Sequence, residues 1–185
     1  MNISLELIIV LLLILANGFL SMSEIALVSA RKVRLQQRAE DGARGAKTAL
    51  ALANQPNRFL STVQIGITLV GVLTGAFGGA TIAEELAKPL ERIPAIAAYA
   101  ETIAFAFVVL LITYFTLVLG ELIPKRIGLN EPERVAEVVA GTMRVLSVIT
   151  GPIVSLLSAS TDLGFRLLGI RPSSEPPVTE DEIKV

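Results

Sequence analysis

The sequence predicts an all-α membrane protein with three transmembrane helices and cytoplasmic juxtamembrane amphipathic helices. The first observation is the composition: 52% of the 185 residues are hydrophobic and the mean hydropathy is +0.67, both high for a soluble domain. The second is that three apolar stretches reach the roughly 20 residues that a helix needs to cross a bilayer. The third is that Lys and Arg are distributed unevenly between these stretches, which indicates an orientation.

The three predicted spans cover residues 5–28, 59–83 and 95–121. The first lies where a signal peptide would lie. However, no Lys or Arg precedes it, and it is longer than the apolar segment of a signal peptide. We therefore expect three membrane-spanning helices in one transmembrane domain that covers residues 1–170.

Basic residues indicate the orientation of these helices. Residues 1–30 contain no Lys or Arg, residues 84–101 contain only Lys88 and Arg92, and residues 31–58 contain seven. Because cytoplasmic loops carry the excess of Lys and Arg, we predict a multi-pass protein of the cell membrane with its N-terminus outside and its C-terminus cytoplasmic. The seven basic residues form either a solvated face that follows this rule, which is the preferred interpretation, or a specific site for lipid. They are Arg31, Lys32, Arg34, Arg38, Arg44, Lys47 and Arg58.

The segment 133–170 is apolar but interrupted by glycine, proline and charged residues. We predict two amphipathic helices at the cytoplasmic interface, hinged near Gly151–Pro152. The alternative is a fourth span, which would move the C-terminus outside. Residues 171–185 are Pro-rich and acidic, and we expect them to be a linker towards a cytoplasmic regulatory domain that is missing from this chain.

Polar residues interrupt the predicted spans at one depth. In the first span, Asn17, Ser21 and Glu24 follow the spacing i, i+4 and i+7 and share one helix face, while Ser23 lies off that face. The second span runs in the opposite direction, so its start and the end of the third span lie in the same inner half of the membrane. The polar residues that share a face of the second span are Ser61, Gln64 and Thr68.

The end of the third span carries a proline. Pro124 cannot donate a hydrogen bond to the carbonyl four residues earlier, which belongs to Gly120. This leaves a backbone oxygen without its helical partner beside the carboxylate of Glu121. Transporters use unwound backbone of this kind at membrane depth to hold cations, so the stretch is a candidate cation ligand.

The chain contains neither Cys nor His, which excludes disulfides and soft metal sites. Its intramembrane polar groups are oxygen donors, and two carboxylates with about six oxygens suit octahedral Mg²⁺. The simpler alternative is that Ser, Asn and Gln join helices by hydrogen bonds while the acids are protonated or paired. Acids within a membrane are costly and usually mark an ion or proton path, so Glu24 and Glu121 together favour an ion site.

Other classes of function have little support in the sequence. The chain shows no pairing of a nucleophile with a base, so we expect a protein that is not an enzyme. Its net charge of −1 provides no basic field for nucleic acid. The expected surroundings are the lipid bilayer.

Gly71, Gly75 and Gly79 recur at every fourth position of the second span. A face of such small residues allows helices to pack closely. It fits either a seam between two subunits or tight packing within one subunit.

Three stretches in this order carry a family resemblance: NGFLSMSEIALVSARKVRL (17–35), ANQPNRFLSTVQIGITLVGVLTGAFG (53–78) and LVLGELIPKRIGL (117–129). Together they resemble the transmembrane domain of the CNNM/CorC family, the cyclin-M-type magnesium transporters and their bacterial relatives. Each stretch alone is a weak signal, whereas the ordered combination is specific. The resemblance covers about residues 5–170.

The resemblance implies a homodimer of three-helix subunits that exports Mg²⁺, driven by an inward flow of Na⁺. In the family's first motif the position of Ser21 faces the cation, and bacterial members also carry the pair Ser23–Glu24. Family members usually continue into a tandem CBS module that binds ATP. Because this chain stops before that module, ATP is an expected partner only through it. The Gly-Glu-x-x-Pro motif of the family matches Gly120, Glu121 and Pro124.

We therefore predict a dimeric Mg²⁺ transport domain that works by alternating access around a dehydrated Mg²⁺ site, with Na⁺ as the coupling ion. One alternative is a carrier of another divalent cation such as Co²⁺. Another is a membrane sensor or scaffold that binds Mg²⁺ without moving it. The predicted metal ligands are Ser21, Ser23, Glu24, Gln64, Gly120 and Glu121.

Overall fold

A computed structural model describes residues 3–169, which are almost entirely helical and contain no strand within that range. They belong to two compact units, Met1–Thr150 and Gly151–Val185. A 3-10 turn at Ala97–Tyr99 and a π-helical turn at Val118–Leu122 flank the sixth helix. The α-helices are α1 (Ile3–Ser29), α2 (Lys32–Glu40), α3 (Arg44–Ala53), α4 (Pro56–Gly78), α5 (Ala80–Leu90), α6 (Ala100–Leu117), α7 (Ile123–Asn130), α8 (Pro132–Ile149) and α9 (Gly151–Leu167).

Three helical runs are long and apolar enough to cross a membrane: Ile3–Ser29, Pro56–Leu90 and Ala97–Asn130. The helices α8 and α9 pass the same test only when they are counted together as one broken span. The predicted all-α membrane fold with three spanning helices is therefore confirmed.

Two boundaries differ from the prediction. The second run is interrupted at Gly79, between α4 and α5, because consecutive glycines favour the helix weakly. The third run continues through Pro124 to Asn130 instead of ending before the proline. The π-helical turn Val118–Leu122 widens the helix just before the proline, which makes room for the proline ring.

Glycines bring α1 against the third helical run at backbone distance. A Cβ on Gly18 would lie 2.8 Å from the carbonyl oxygen of Leu119 and 2.9 Å from Cγ of Pro124. A second close contact joins α7 to α1: a Cβ on Gly128 of α7 would lie 2.8 Å from the carbonyl oxygen of Met22 of α1. Side chains do not fit at such distances, so both positions need glycine. The contact of Gly18 with Leu119 and Pro124 holds α1 against the π-helical turn.

An apolar core lies where the ends of α1 and α4 meet α2, α3 and α8. Its largest fully buried side chains are Phe59, Leu35 and Met143. On α8, Met143 is buried whereas Val145 and Val148 are exposed. The helix therefore packs one face into the protein and leaves apolar side chains on another face, where lipid can cover them.

The predicted break in the segment that follows the third run is observed. Helix α8 ends at Ile149 and α9 begins at Gly151, beside Pro152. The location of these two helices at the cytoplasmic interface stays a prediction. The predicted linker 171–185 lies outside the described residues.

Ion pairs join α2 to α8. Arg38 donates two hydrogen bonds to the carboxylate of Glu137, and this contact raises the pKa of the Arg38 guanidinium above its ordinary value. One turn away, Glu133 accepts a 3.3 Å hydrogen bond from the backbone N–H of Arg31, and its other oxygen lies 4.0 Å from Nη1 of Arg34. Arg38 and Arg34 of α2 thus each have an acid of α8 as a partner, closely for Arg38 and at 4.0 Å for Arg34.

Candidate cation site

The polar residues of α1 are buried inside the protein. The exposed fractions are 7% for Asn17, 1% for Ser21 and 0% for Ser23. Helix α1 is continuous through them. Gly18 lies within this stretch and allows the third helical run to pack closely against α1. Asn17 and Ser21 lie one turn apart on a single face, as their spacing predicts.

The π-helical turn meets this face of α1. The side-chain Nδ2–H of Asn17 donates a 3.0 Å hydrogen bond to the carbonyl oxygen of Gly120, and the contact is buried. The carbonyl lacks its usual helical donor because Pro124 has no N–H. A carbonyl oxygen has two lone pairs, so it can accept a further partner beside Asn17. The structure thus brings together two of the groups that sequence reasoning placed at one depth.

Glu121 lies next to this contact but already has a cationic partner. Its Oε1 is 2.5 Å from Nζ of Lys125, one turn further along the helix. About 40% of the Glu121 side chain is exposed. A metal ion that binds this carboxylate must therefore compete with the ammonium group of Lys125.

The neighbouring pair Ser23–Glu24 divides into two environments. The hydroxyl of Ser23 donates a 2.7 Å hydrogen bond to the carbonyl oxygen of Phe19, a common arrangement within a helix. Its oxygen keeps its lone pairs as acceptors. Glu24 is half-buried.

The predicted polar face of α4 does not meet α1 within one chain. A Cβ on Gly66 would lie 2.8 Å from Cδ1 of Leu20, so the Gly66 side of α4 faces α1. Positions two residues apart differ by about 200° around a helix, which turns Gln64 and Thr68 away from α1. Both are exposed.

The exposed polar face of α4 continues into a stripe of small residues. Nothing lies within 4 Å of a Cβ built on Gly71 or Gly75. Seven residues separate Gln64 from Gly71 and Thr68 from Gly75, so each pair lies on nearly the same side of the helix. We call these residues the α4 stripe: Ser61, Gln64, Thr68, Gly71 and Gly75.

The described residues contain no group of three or more Asp or Glu side chains that could hold a metal ion by themselves. A cation at the Asn17–Gly120 contact would need hydroxyl, amide and backbone oxygens in addition to one carboxylate. Such a donor set suits a hard cation.

Sequence reasoning missed a buried acid near the other end of α1. Glu6 is 3% exposed, and its Oε2 has no hydrogen-bond partner among the described residues. Thr116 carries a second such atom, its Oγ1, just before the π-helical turn. The sequence offers one signal for Glu6, an acid one residue inside the predicted span. A polar side chain at such a position is usually expected to reach the water.

The chain is similar to known proteins over most of its length. A family model described as the cyclin M transmembrane N-terminal domain matches residues 7–185. A UPF0053 protein of Synechocystis sp. is 53% identical over 184 residues, which cover 100% of this chain and 41% of that protein. The polyamine export protein of Haemophilus influenzae is 34% identical, over 92% of this chain and 39% of its own length.

The polyamine export protein of Escherichia coli K12 is 30% identical over 178 residues, which cover 96% of this chain and 40% of that protein. The chain therefore spans about two fifths of the length of the curated relatives it matches.

Proposed function

The chain belongs to the cyclin M family of membrane transport domains, and from that premise we propose that it exports Mg²⁺ across the cell membrane. The observation that supports the proposal best is the hydrogen bond from Asn17 to the carbonyl of Gly120. It joins the polar face of α1, which carries buried Ser21, to the turn that carries Glu121. These groups offer the hard oxygen donors that Mg²⁺ prefers.

In this mechanism Glu121 supplies negative charge, and the oxygens of Ser21, Ser23 and the Gly120 carbonyl replace waters of the ion. Mg²⁺ dehydrates reluctantly and needs ligands at about 2.1 Å, so the oxygens must converge when the ion enters. Lys125 leaves Glu121 at that moment, so the ammonium and the metal ion occupy the carboxylate in turn. Glu24 stands nearby for the coupling Na⁺ or for a second charge on Mg²⁺.

Alternating access requires two arrangements of the helices around the ion. The π-helical turn before Pro124 is the candidate moving part, because its hydrogen bonds can shift by one residue without breaking the helix. We place the N-terminus outside and the C-terminus in the cytoplasm, as the Lys and Arg distribution predicts. Inward Na⁺ flow supplies the driving force in this proposal.

We further propose that the working unit is a homodimer in which the α4 stripe faces the second copy. Apart from the half-buried Ser61, the stripe is exposed in a single chain although it combines small residues with the polar Gln64 and Thr68. Small residues allow two helices to approach closely, and their polar neighbours gain partners at the seam. A cysteine introduced at Thr68 should cross-link two copies in membranes. Absence of the cross-linked dimer would contradict this arrangement.

A second candidate function is export of a polyamine. Two of the relatives described above, from Haemophilus influenzae and Escherichia coli K12, carry the name polyamine export protein. The contact between Glu121 and Lys125 supports this alternative, because the carboxylate already accepts an ammonium group of the kind that a polyamine carries. A polyamine would need two or more such acceptors in a row, and Mg²⁺ would need one compact shell.

Flux into vesicles distinguishes these candidates. The protein is reconstituted into liposomes, and uptake of Mg²⁺, Co²⁺ and a linear polyamine is followed with and without a Na⁺ gradient. The proposal predicts saturable Mg²⁺ flux that the polyamine does not inhibit. Polyamine flux without Mg²⁺ flux would support the second candidate. Mg²⁺ binding without any flux would favour a sensor or scaffold.

A further inference from the structure

A cavity of about 440 Å³ lies between α3, the start of α4 and the end of α8. Four basic side chains line it, and no carboxylate of the described residues does. Thr48, Gln55 and Ser147 add hydrogen-bonding groups to its wall. We call it the basic pocket, and its four cations are Arg44, Lys47, Arg58 and Arg144.

These cations differ from the arginines of α2. A second cavity, of about 470 Å³, also has four arginines in its wall, but Glu131 and Glu133 line it as well. Arg34 and Arg134 form ion pairs with those acids there. Within residues 3–169, none of the four cations of the basic pocket forms an ion pair. Unlike the second cavity, the basic pocket therefore holds a concentrated positive charge that an anion can neutralise.

The position of the pocket relates it to the membrane surface. Arg58 directly precedes the apolar run of α4 that begins at Phe59, so it lies where a spanning helix leaves the hydrocarbon. Val148 lines the pocket and is exposed, as is the adjacent Ile149. Apolar groups beside clustered cations at this depth suit a molecule with an anionic head and apolar chains.

The N-terminus of α4 adds to the attraction for an anion. Gln55 precedes α4 without capping it through its side chain, and it lines the basic pocket together with Arg58. Pro56 begins the helix without an N–H, but the N–H groups of Asn57 and Arg58 have no partner within the helix, and the helix dipole favours negative charge there. Phosphate is the anion that uses both features and bidentate arginine contacts.

We infer that the basic pocket binds the phosphate headgroup of an anionic phospholipid of the leaflet that the Lys and Arg distribution predicts to be cytoplasmic. Arg58 of α4 and Arg144 of α8 bind the phosphate from two sides, and Arg44 and Lys47 bind it from α3. Ser147 donates to a remaining phosphate oxygen. The lipid joins α3 and α8 to the membrane-spanning helix α4 and so stabilises their packing.

Native mass spectrometry of the full 185-residue chain in detergent tests this inference. The chain is titrated with phosphatidylglycerol and, separately, with phosphatidylcholine. The variant Arg58→Gln/Arg144→Gln should lose phosphatidylglycerol affinity by about 30-fold, because each basic residue near an anionic surface contributes roughly fivefold. The charge-conserving variant Arg58→Lys/Arg144→Lys should retain most of the affinity, which separates lost charge from lost folding.

The matched control is Lys32→Gln/Arg134→Gln, which removes the same charge from exposed residues outside the basic pocket. It should bind phosphatidylglycerol as the unmodified chain does. Equal affinity in the pocket variant and the unmodified chain, or equal losses in pocket and control variants, would overturn the inference. Displacement of the lipid by millimolar inorganic phosphate would show that the pocket serves a soluble phosphate compound instead.

Discussion

The side chain of Asn17 donates a 3.0 Å hydrogen bond to the carbonyl oxygen of Gly120, although 103 residues separate the two in the chain. Pro124, four residues beyond Gly120, has no N–H to donate to that carbonyl, and Gly18 lets α1 approach. It connects the first and third spanning runs beside Ser21 and Glu121, two of the predicted cation ligands. The proposed transport site therefore depends on this junction.

Replacing Asn17 by Ala should destabilise the protein and reduce transport. The Gly120 carbonyl would lose its donor in a buried position, which costs about 1–3 kcal/mol. Thermal unfolding in detergent measures the loss. The control is Asn54→Ala at the exposed end of α3, where unfolding should be unchanged. An unchanged unfolding temperature in Asn17→Ala would mean that the contact does not hold the junction together.

Replacing Gly18 by Ala should separate α1 from the π-helical turn. The new Cβ would lie 2.8 Å from the Leu119 carbonyl oxygen, and backbone atoms must shift to admit it. Such overpacking costs about 1–3 kcal/mol. The matched control is Gly141→Ala on α8, where nothing lies within 4 Å of the new atom. There the better helix propensity of Ala should leave stability equal or slightly higher, so a similar loss at both positions would argue against close packing at Gly18.

Replacing Lys125 by Met should raise the affinity of the site for Mg²⁺. The ammonium group competes with the ion for Glu121, and a half-exposed pair contributes up to about 1 kcal/mol, or about fivefold in affinity. Mg²⁺-dependent thermal stabilisation reports the change. Lys88→Met, which opens the Glu85–Lys88 pair in α5, is the control. Unchanged or weaker Mg²⁺ binding in Lys125→Met would show that Glu121 is not the competing ligand.

The orientation can be tested with single cysteines, because the chain has none. A cysteine at Asp41, between α2 and α3, should react with an impermeant thiol reagent only from the cytoplasmic side. One at Glu91, beyond α5, should react only from outside. The reverse pattern would invert the proposed topology and the side of the membrane assigned to the basic pocket.

The three spans could be predicted from the sequence because hydropathy and length suffice to identify a helix that crosses a bilayer. The shared face of Asn17 and Ser21 could also be predicted, because helical spacing places them one turn apart. The hydrogen-bond partner of Gly120 could not be predicted, because Pro124 does not indicate which side chain will donate to the Gly120 carbonyl oxygen. The exposure of Gln64 could not be predicted either. The sequence shows which residues share a helix face but not which neighbouring helix that face contacts.

The most direct test of the account is Mg²⁺ flux into vesicles by Glu121→Gln. This change keeps the shape of the side chain and removes its charge, so the site lacks its anionic ligand for a dehydrated divalent ion. Flux should be lost in Glu121→Gln while the protein remains folded. Ser21→Ala should lose less flux, and Glu101→Gln at the exposed start of α6 should keep normal flux. Normal Mg²⁺ flux in Glu121→Gln would contradict the proposed site.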